Sequence, residues 1–106
     1  MLATSVRVPV VTGHAVSILA TFERAIDVAE AREVLAKAPG VTLLDDPEAG
    51  LFPTPLDAAG RDDAYVGRIR QMPGRDDALA LFSCADNLRI GAALDAVLIA
   101  ERLFAT

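Results

Sequence analysis

The sequence predicts an α+β fold, a mainly antiparallel, mixed β-sheet of about five strands with two helices packed on it. Apolar residues alternate with a period of two in several short segments, which is typical of strands. Two longer segments show helical spacing instead, and short turn sequences separate most of the strands. The length of 106 residues favours one domain, which we assign to residues 1–106.

Two strands are predicted at the start of the chain. Residues 5–11 (SVRVPVV) alternate, and Pro9 favours a place at the sheet edge because proline cannot donate to a strand ladder. Thr12 and Gly13 form a turn, and residues 14–22 (HAVSILATF) alternate again. We therefore expect a strand, a turn and a second strand.

The clearest helix covers residues 27–38, which begin with a capping box and end at a Pro-Gly pair. A short strand is expected over residues 41–46. The segment that follows is rich in proline and glycine, so we expect a long loop with a small edge strand near Thr54 to Leu56.

The second half of the chain predicts a hairpin and a long helix. Residues 64–72 and 78–84 alternate, and the turn sequence PGRDD joins them. The last helix is expected from about Leu88 to Phe104, with Asp86 or Asn87 as its cap.

Apolar residues occupy nearly the whole circumference of this last helix, where Asp95, Glu101 and Arg102 are the main polar positions. Such a surface predicts a homodimer or a higher homo-oligomer through an apolar helix or sheet face. The alternative is that much of the circumference is alanine, which tolerates exposure to water.

The composition excludes several partners. A net charge of -5 argues against nucleic acid and against an anionic membrane. The longest apolar run, residues 90–100, is too short to span a bilayer and contains Asp95. One cysteine, Cys84, excludes an internal disulfide and fits a reducing cytoplasm, which is the expected location.

Four stretches carry a resemblance to a known family: VRVPVVTGH, APGV, PTPLDAAGRDDAYVGRIR and DNLRIGAALDAVLIAE. In this order they resemble the C-terminal segment of aspartate-β-semialdehyde dehydrogenase, the NADP-dependent enzyme that reduces aspartyl phosphate to the semialdehyde. The resemblance runs from about Ser5 to Leu103.

The resemblance implies two site residues. His14 corresponds to the family's acid/base histidine, and Arg7 to the arginine that binds the substrate carboxylate. Imidazole titrates near neutrality, and guanidinium binds a carboxylate with two hydrogen bonds, so both residue types suit these roles. The residues alone leave open that His14 is a polar residue at a strand end.

The resemblance also places the family's cofactor-facing region at Asn87, Gly91 and Asp95. Here the family usually has lysine, asparagine and glutamine where this sequence has Ile90, Asp95 and Leu98. A carboxylate in place of a neutral amide would repel a nucleotide phosphate or lose a donor. We expect no cofactor on this chain, and no metal.

Other family elements have no counterpart in the sequence. It contains no Gly-rich nucleotide motif, and Cys84 follows a strand where the family has no nucleophile. The expectation is therefore a truncated paralogue without the N-terminal NADP-binding domain, which cannot run NADP-dependent reduction alone. Cys84 is interpreted as a buried, small apolar residue.

Three functions remain open, and the sequence does not decide whether the chain is an enzyme. The first is a self-associating dehydrogenase-like domain that retains His14 and Arg7. The second is a cofactor-free acid/base enzyme, an isomerase or cyclase, acting on a small carboxylate or carbonyl compound. The third is one half of a split dehydrogenase with a separate nucleotide-binding subunit.

Overall fold

The protein was analysed as a computed structural model, which describes residues 2–104. This part of the chain forms a four-stranded sheet and three α-helices. The elements in chain order are β1 (His14–Thr21), α1 (Val28–Ala36), β2 (Val41–Leu43), α2 (Pro55–Ala58), β3 (Ala64–Gln71), β4 (Ala78–Ala85) and α3 (Leu94–Phe104).

The sheet is mixed and has the strand order β1-β4-β3-β2. The predicted hairpin is confirmed, because β3 and β4 pair antiparallel through the turn between them. β1 also pairs antiparallel with β4, in a register that sets His14 opposite Ala85. β2 and β3 are parallel.

The main core lies between α1 and one face of the sheet. Asp27 caps α1, as predicted, and its carboxylate accepts a hydrogen bond of 2.7 Å from the Glu30 amide. The buried members of this core are Ala31, Ile69 and Leu79. Because α1 packs on β2 and β3, the core covers the middle of the sheet and leaves β1 outside it.

The opposite face is covered at one end by α2. This helix begins with a capping box between Thr54 and Asp57, and its Ala58 is fully buried. The segment packs tightly on β3, since a Cβ built at Gly67 would lie 2.6 Å from Pro53 Cδ and 2.0 Å from the Leu44 carbonyl oxygen.

The predicted strand count was one too high, because residues 5–11 form no strand. Their valines are largely exposed, and no neighbouring strand supplies a ladder to this segment. The alternation was real, but a strand also needs a pairing partner elsewhere in the chain. The predicted edge strand at Thr54 to Leu56 is also wrong, because Thr54 caps α2 and Pro55 occupies its first turn.

The last helix begins later than predicted, at Leu94 rather than Leu88. Residues 89–93 form an irregular turn in which Gly91 has a φ of 75°. This is the left-handed region, where glycine meets no steric penalty and other residues do. Neither Asp86 nor Asn87 therefore caps α3.

Candidate functional site

His14 is the first residue of β1, and its side chain is exposed. The strand ladder holds its backbone opposite Ala85, the last residue of β4. The imidazole therefore stands at the end of the sheet, next to the loop that leaves β4. This position is accessible to a substrate or to another protein surface.

Gly13, directly before His14, is buried and held by contacts from two other segments. Its amide donates a 2.9 Å hydrogen bond to the side-chain oxygen of Asn87. Its φ of 101° is left-handed, and a Cβ there would lie 3.1 Å from Pro55 Cβ. Glycine is therefore required by both the backbone conformation and the neighbouring α2.

Asp86 is a buried residue whose importance the sequence did not reveal, with only 4% of its surface exposed. Its carboxylate accepts hydrogen bonds from the amides of Gly60 (2.7 Å) and Leu88 (2.9 Å). These two bonds hold the pKa of Asp86 below its ordinary value. The residue joins the loop after α2 to the turn that follows β4.

Arg7 lies in the exposed segment before β1. It makes no hydrogen bond or ion pair within residues 2–104, and its segment carries no ladder bonds. The structure consequently does not hold Arg7 and His14 together in one formed pocket.

Two open clefts of the described chain lie beside α3. The larger, of about 600 Å³, has apolar side chains from Leu94 and Leu98 and charged ones from Asp62, Asp63, Glu101 and Arg102. A smaller cavity of about 240 Å³ is lined by Leu88, Arg89, Ala93, Leu94 and Val97. Neither lining includes His14 or Arg7.

The predicted cofactor-facing residues have local structural partners. Asn87 binds Gly13, and the Gly91 amide donates a 2.8 Å hydrogen bond to the Asp95 carboxylate. Arg89, beside the smaller cavity, forms an ion pair with Asp62, which raises the pKa of the guanidinium. Asp95 thus closes the turn before α3.

Cys84 is buried on β4, with 1% of its surface exposed. Burial raises the pKa of its thiol, and the negative charge of Asp57 raises it further. A protonated, inaccessible thiol is a poor nucleophile, in agreement with the interpretation of Cys84 as a small apolar residue.

Residues 2–104 contain neither a metal-binding cluster nor a membrane-spanning helix. No group of three or more His, Cys, Asp or Glu side chains in this range could hold a metal ion. The helices of the same range are all too short or too polar to cross a membrane.

Comparison with known proteins gives a consistent family. The model of the semialdehyde dehydrogenase dimerisation domain matches residues 1–90. An aspartate-semialdehyde dehydrogenase of Streptomyces akiyoshiensis is 55% identical over 98 residues, which are 92% of this chain and 27% of the relative. One from Prochlorococcus marinus is 48% identical over 101 residues, or 95% of this chain and 29% of the relative.

Solved structures agree with this result. The crystal structure of aspartate semialdehyde dehydrogenase II from Vibrio cholerae superposes with a TM-score of 0.84 at 38% identity, over 92% of this chain and 28% of that one. The chain thus spans less than a third of the length of these relatives. With a family match over most of its residues and this shared fold, the chain belongs to the semialdehyde dehydrogenase dimerisation-domain family.

Proposed function

We propose that this chain is a dimerisation domain of the aspartate-semialdehyde dehydrogenase type, which pairs with a second copy of itself through β1. In this proposal it supplies His14 as acid/base group and Arg7 as carboxylate-binding group to an active site that a nucleotide-binding unit completes. The observation that carries the proposal is the uncovered first strand in a chain whose family is defined by dimerisation.

β1 is exposed because the helices cover other strands. On the α1 side of the sheet Val16 is 53% exposed, and on the opposite side Leu19 is 59% exposed. β1 is also an edge strand, with β4 as its one ladder partner in the sheet. Apolar side chains on an unpaired edge favour association with another chain, and a two-fold pair is the commonest solution.

Further exposed apolar side chains lie on α3 and on the segment before β1. α3 directly follows the turn at residues 89–93 and makes few contacts with the sheet or with the other helices. The exposed apolar side chains of these two segments are Val6, Val8, Val10, Val11, Val97, Leu98, Ile99, Leu103 and Phe104. We assign both segments to contact with the nucleotide-binding unit, because Arg7 lies in the segment before β1 and needs a partner surface to complete a pocket.

The chemistry assigned to the two site residues follows from their side chains. An exposed imidazole at a sheet end can accept a proton from a reacting group and return it. A guanidinium on an extended segment binds a small carboxylate substrate with two hydrogen bonds and orients its carbonyl group. The names of the relatives support an aspartate-derived semialdehyde as the substrate class.

NADP, the cofactor that the resemblance implies, does not fit the residues described here. Arg89 is the basic residue of the smaller cavity and is paired with Asp62, while Asp95 occupies the Gly91 amide. The larger cleft carries three carboxylates, those of Asp62, Asp63 and Glu101, against one basic residue, Arg102, so its net charge is negative and repels phosphates. We therefore assign cofactor binding to the nucleotide-binding unit.

The cofactor-free enzyme receives no support from the geometry. Such an enzyme needs a ligand-sized cavity that His14 and Arg7 both border. Both residues are absent from the linings of the two cavities beside α3. For this reason we do not propose an isomerase or cyclase.

Sedimentation velocity over a range of concentrations tests self-association. The wild-type chain is expected to sediment as a dimer, and Leu19→Lys as a monomer, because the variant places a charge in the proposed interface. Leu103→Lys is the matched control, since Leu103 is 72% exposed on α3, outside the proposed interface. A monomeric wild-type chain would refute self-association, and a dimer lost only in Leu103→Lys would refute its assignment to β1.

A chimera tests the site residues. This chain replaces the matching segment of the Streptomyces akiyoshiensis relative, and semialdehyde formation is assayed. His14→Asn is expected to lower kcat about a hundredfold or more, as loss of an acid/base group does. Arg7→Lys is expected to raise KM for the carboxylate substrate, because lysine lacks the planar fork. An active chimera that tolerates both substitutions would contradict the assigned roles.

A further inference from the structure

We infer that Asn87 is a positioning residue for His14: its side-chain oxygen holds the Gly13 amide and thereby sets the direction in which the imidazole leaves β1. The functional meaning of this inference rests on the proposed acid/base role of His14. Its structural content can be tested separately.

The first step is that the backbone before His14 is held from several directions. The Gly13 amide donates to Asn87, and the residue is buried with a left-handed φ of 101°. A Cβ built at Gly13 would lie 3.1 Å from Pro55 Cβ, 3.3 Å from the Pro55 carbonyl oxygen and 3.4 Å from the Ala85 carbonyl oxygen. Gly13 therefore has little room to change its conformation while Asn87 stays in place.

The second step is that Asn87 itself is held by the structure around it. The preceding residue, Asp86, is buried and binds the amides of Gly60 and Leu88 through its side chain. Its carbonyl oxygen accepts from the amides of Arg89 (3.1 Å) and Ile90 (2.9 Å). The acceptor for Gly13 therefore projects from a tight turn whose polar groups are satisfied.

The third step concerns the imidazole. No hydrogen bond within residues 2–104 reaches the ring of His14. The backbone at His14 therefore sets the direction of the imidazole. If this backbone shifts, the ring moves with it. Besides the ladder between β1 and β4, the bond from the Gly13 amide to the Asn87 side chain ties the backbone next to His14 to another segment.

The usual alternative is that Asn87 caps a helix. α3 begins only at Leu94, and the side-chain oxygen of Asn87 is bonded 74 positions away in the sequence. A local capping role therefore does not account for this contact.

Nuclear magnetic resonance of the intact chain tests the inference, because His14 is its only histidine and gives one set of imidazole signals. In the wild type, the Gly13 amide is expected to exchange with solvent more slowly than the amides of Val11 and Thr12. Asn87→Ala is expected to accelerate Gly13 exchange about fivefold to tenfold, which corresponds to one ordinary hydrogen bond, and to shift the imidazole signals. Asn87→Asp retains an acceptor oxygen and is expected to restore both.

Thr42→Val is the control. Thr42 lies on β2, at the far edge of the sheet, and the substitution removes its part-buried 2.7 Å hydrogen bond to Asp63. It is expected to leave the imidazole signals unchanged. Unchanged imidazole signals in Asn87→Ala, or equal changes in Thr42→Val, would overturn the inference. If Asn87→Ala does not fold, an unprotected Gly13 amide in the wild type would overturn it as well.

The chimera described above links the position of His14 to catalysis. There Asn87→Ala is expected to lower kcat about tenfold with KM unchanged, and Asn87→Asp to restore it. An inactive chimera would count against the proposed function, whereas the imidazole signals would still decide the role of Asn87. An active chimera in which Asn87→Ala raises only KM would overturn the positioning role.

Discussion

Replacing Gly67 by alanine is the sharpest test of how the site is supported. Gly67 lies on β3 under the segment that leads into α2, and an added Cβ would stand 2.0 Å from the Leu44 carbonyl oxygen and 2.6 Å from Pro53 Cδ. These are backbone and ring atoms, so no flexible side chain can rotate away. β3 and the backbone at Leu44 must separate by about 1.5 Å to restore ordinary contact distances.

The expected cost is about 3–4 kcal/mol. Overpacking of a well-packed interior costs about 1–3 kcal/mol, and the upper end applies because rigid atoms block the methyl group. The separation also breaks the 2.8 Å hydrogen bond from the Leu44 amide to the Val66 carbonyl oxygen, which adds about 1 kcal/mol.

Urea unfolding followed by circular dichroism measures this cost, with the protein concentration held constant because dimerisation adds to stability. Gly74→Ala is the control, since its hairpin position has a φ of 76° but open space around the Cβ. It is expected to cost only about 1–2 kcal/mol. A Gly67→Ala variant within about 1 kcal/mol of the wild type would refute the close approach.

Two further predictions concern titratable groups. Cys84 is expected to react with a thiol reagent only at the rate of unfolding, because it is buried and burial raises the pKa of its thiol; rapid labelling of the folded chain would refute this. The pKa of Asp86 is lower in the folded chain than in the unfolded chain, where it is about 3.9. The Asp86 carboxylate therefore stabilises the fold above the unfolded pKa, and this stability is lost as the pH falls through the lower, folded value. Asp86→Asn is expected to lower the melting temperature at pH 7 and to flatten its dependence on pH below about 4; an unchanged acid profile would contradict the assignment.

The sequence predicts those elements whose signals are local. The helix α1 follows from the capping box at Asp27, and the β3–β4 hairpin follows from two alternating segments around a turn. Each signal lies within the element that it predicts. Pairing between distant segments has no such signal, so the sequence could not show that residues 5–11 lack a ladder partner.

The site divides in the same way. His14 and Arg7 were identified through the family motif, which records ancestry and not contacts. Asp86 and Asn87 were visible as polar residues after a strand, and polar residues there are typical helix caps. Their true partners, Gly60 and Gly13, are 26 and 74 positions away in the sequence. No local pattern indicates bonds of this separation.

The proposed dimer interface and the contacts that position His14 lie in different parts of the structure. The proposed interface consists of apolar side chains farther along β1, whereas the support of His14 comes from the loops at the end of β4 and from α2. Gly67 fixes the segment that carries Pro55, and Pro55 confines Gly13. A substitution in the interface should therefore break the dimer without moving the imidazole, and Asn87→Ala should move the imidazole without breaking the dimer. Loss of both properties in either variant would show that β1 transmits changes along its length.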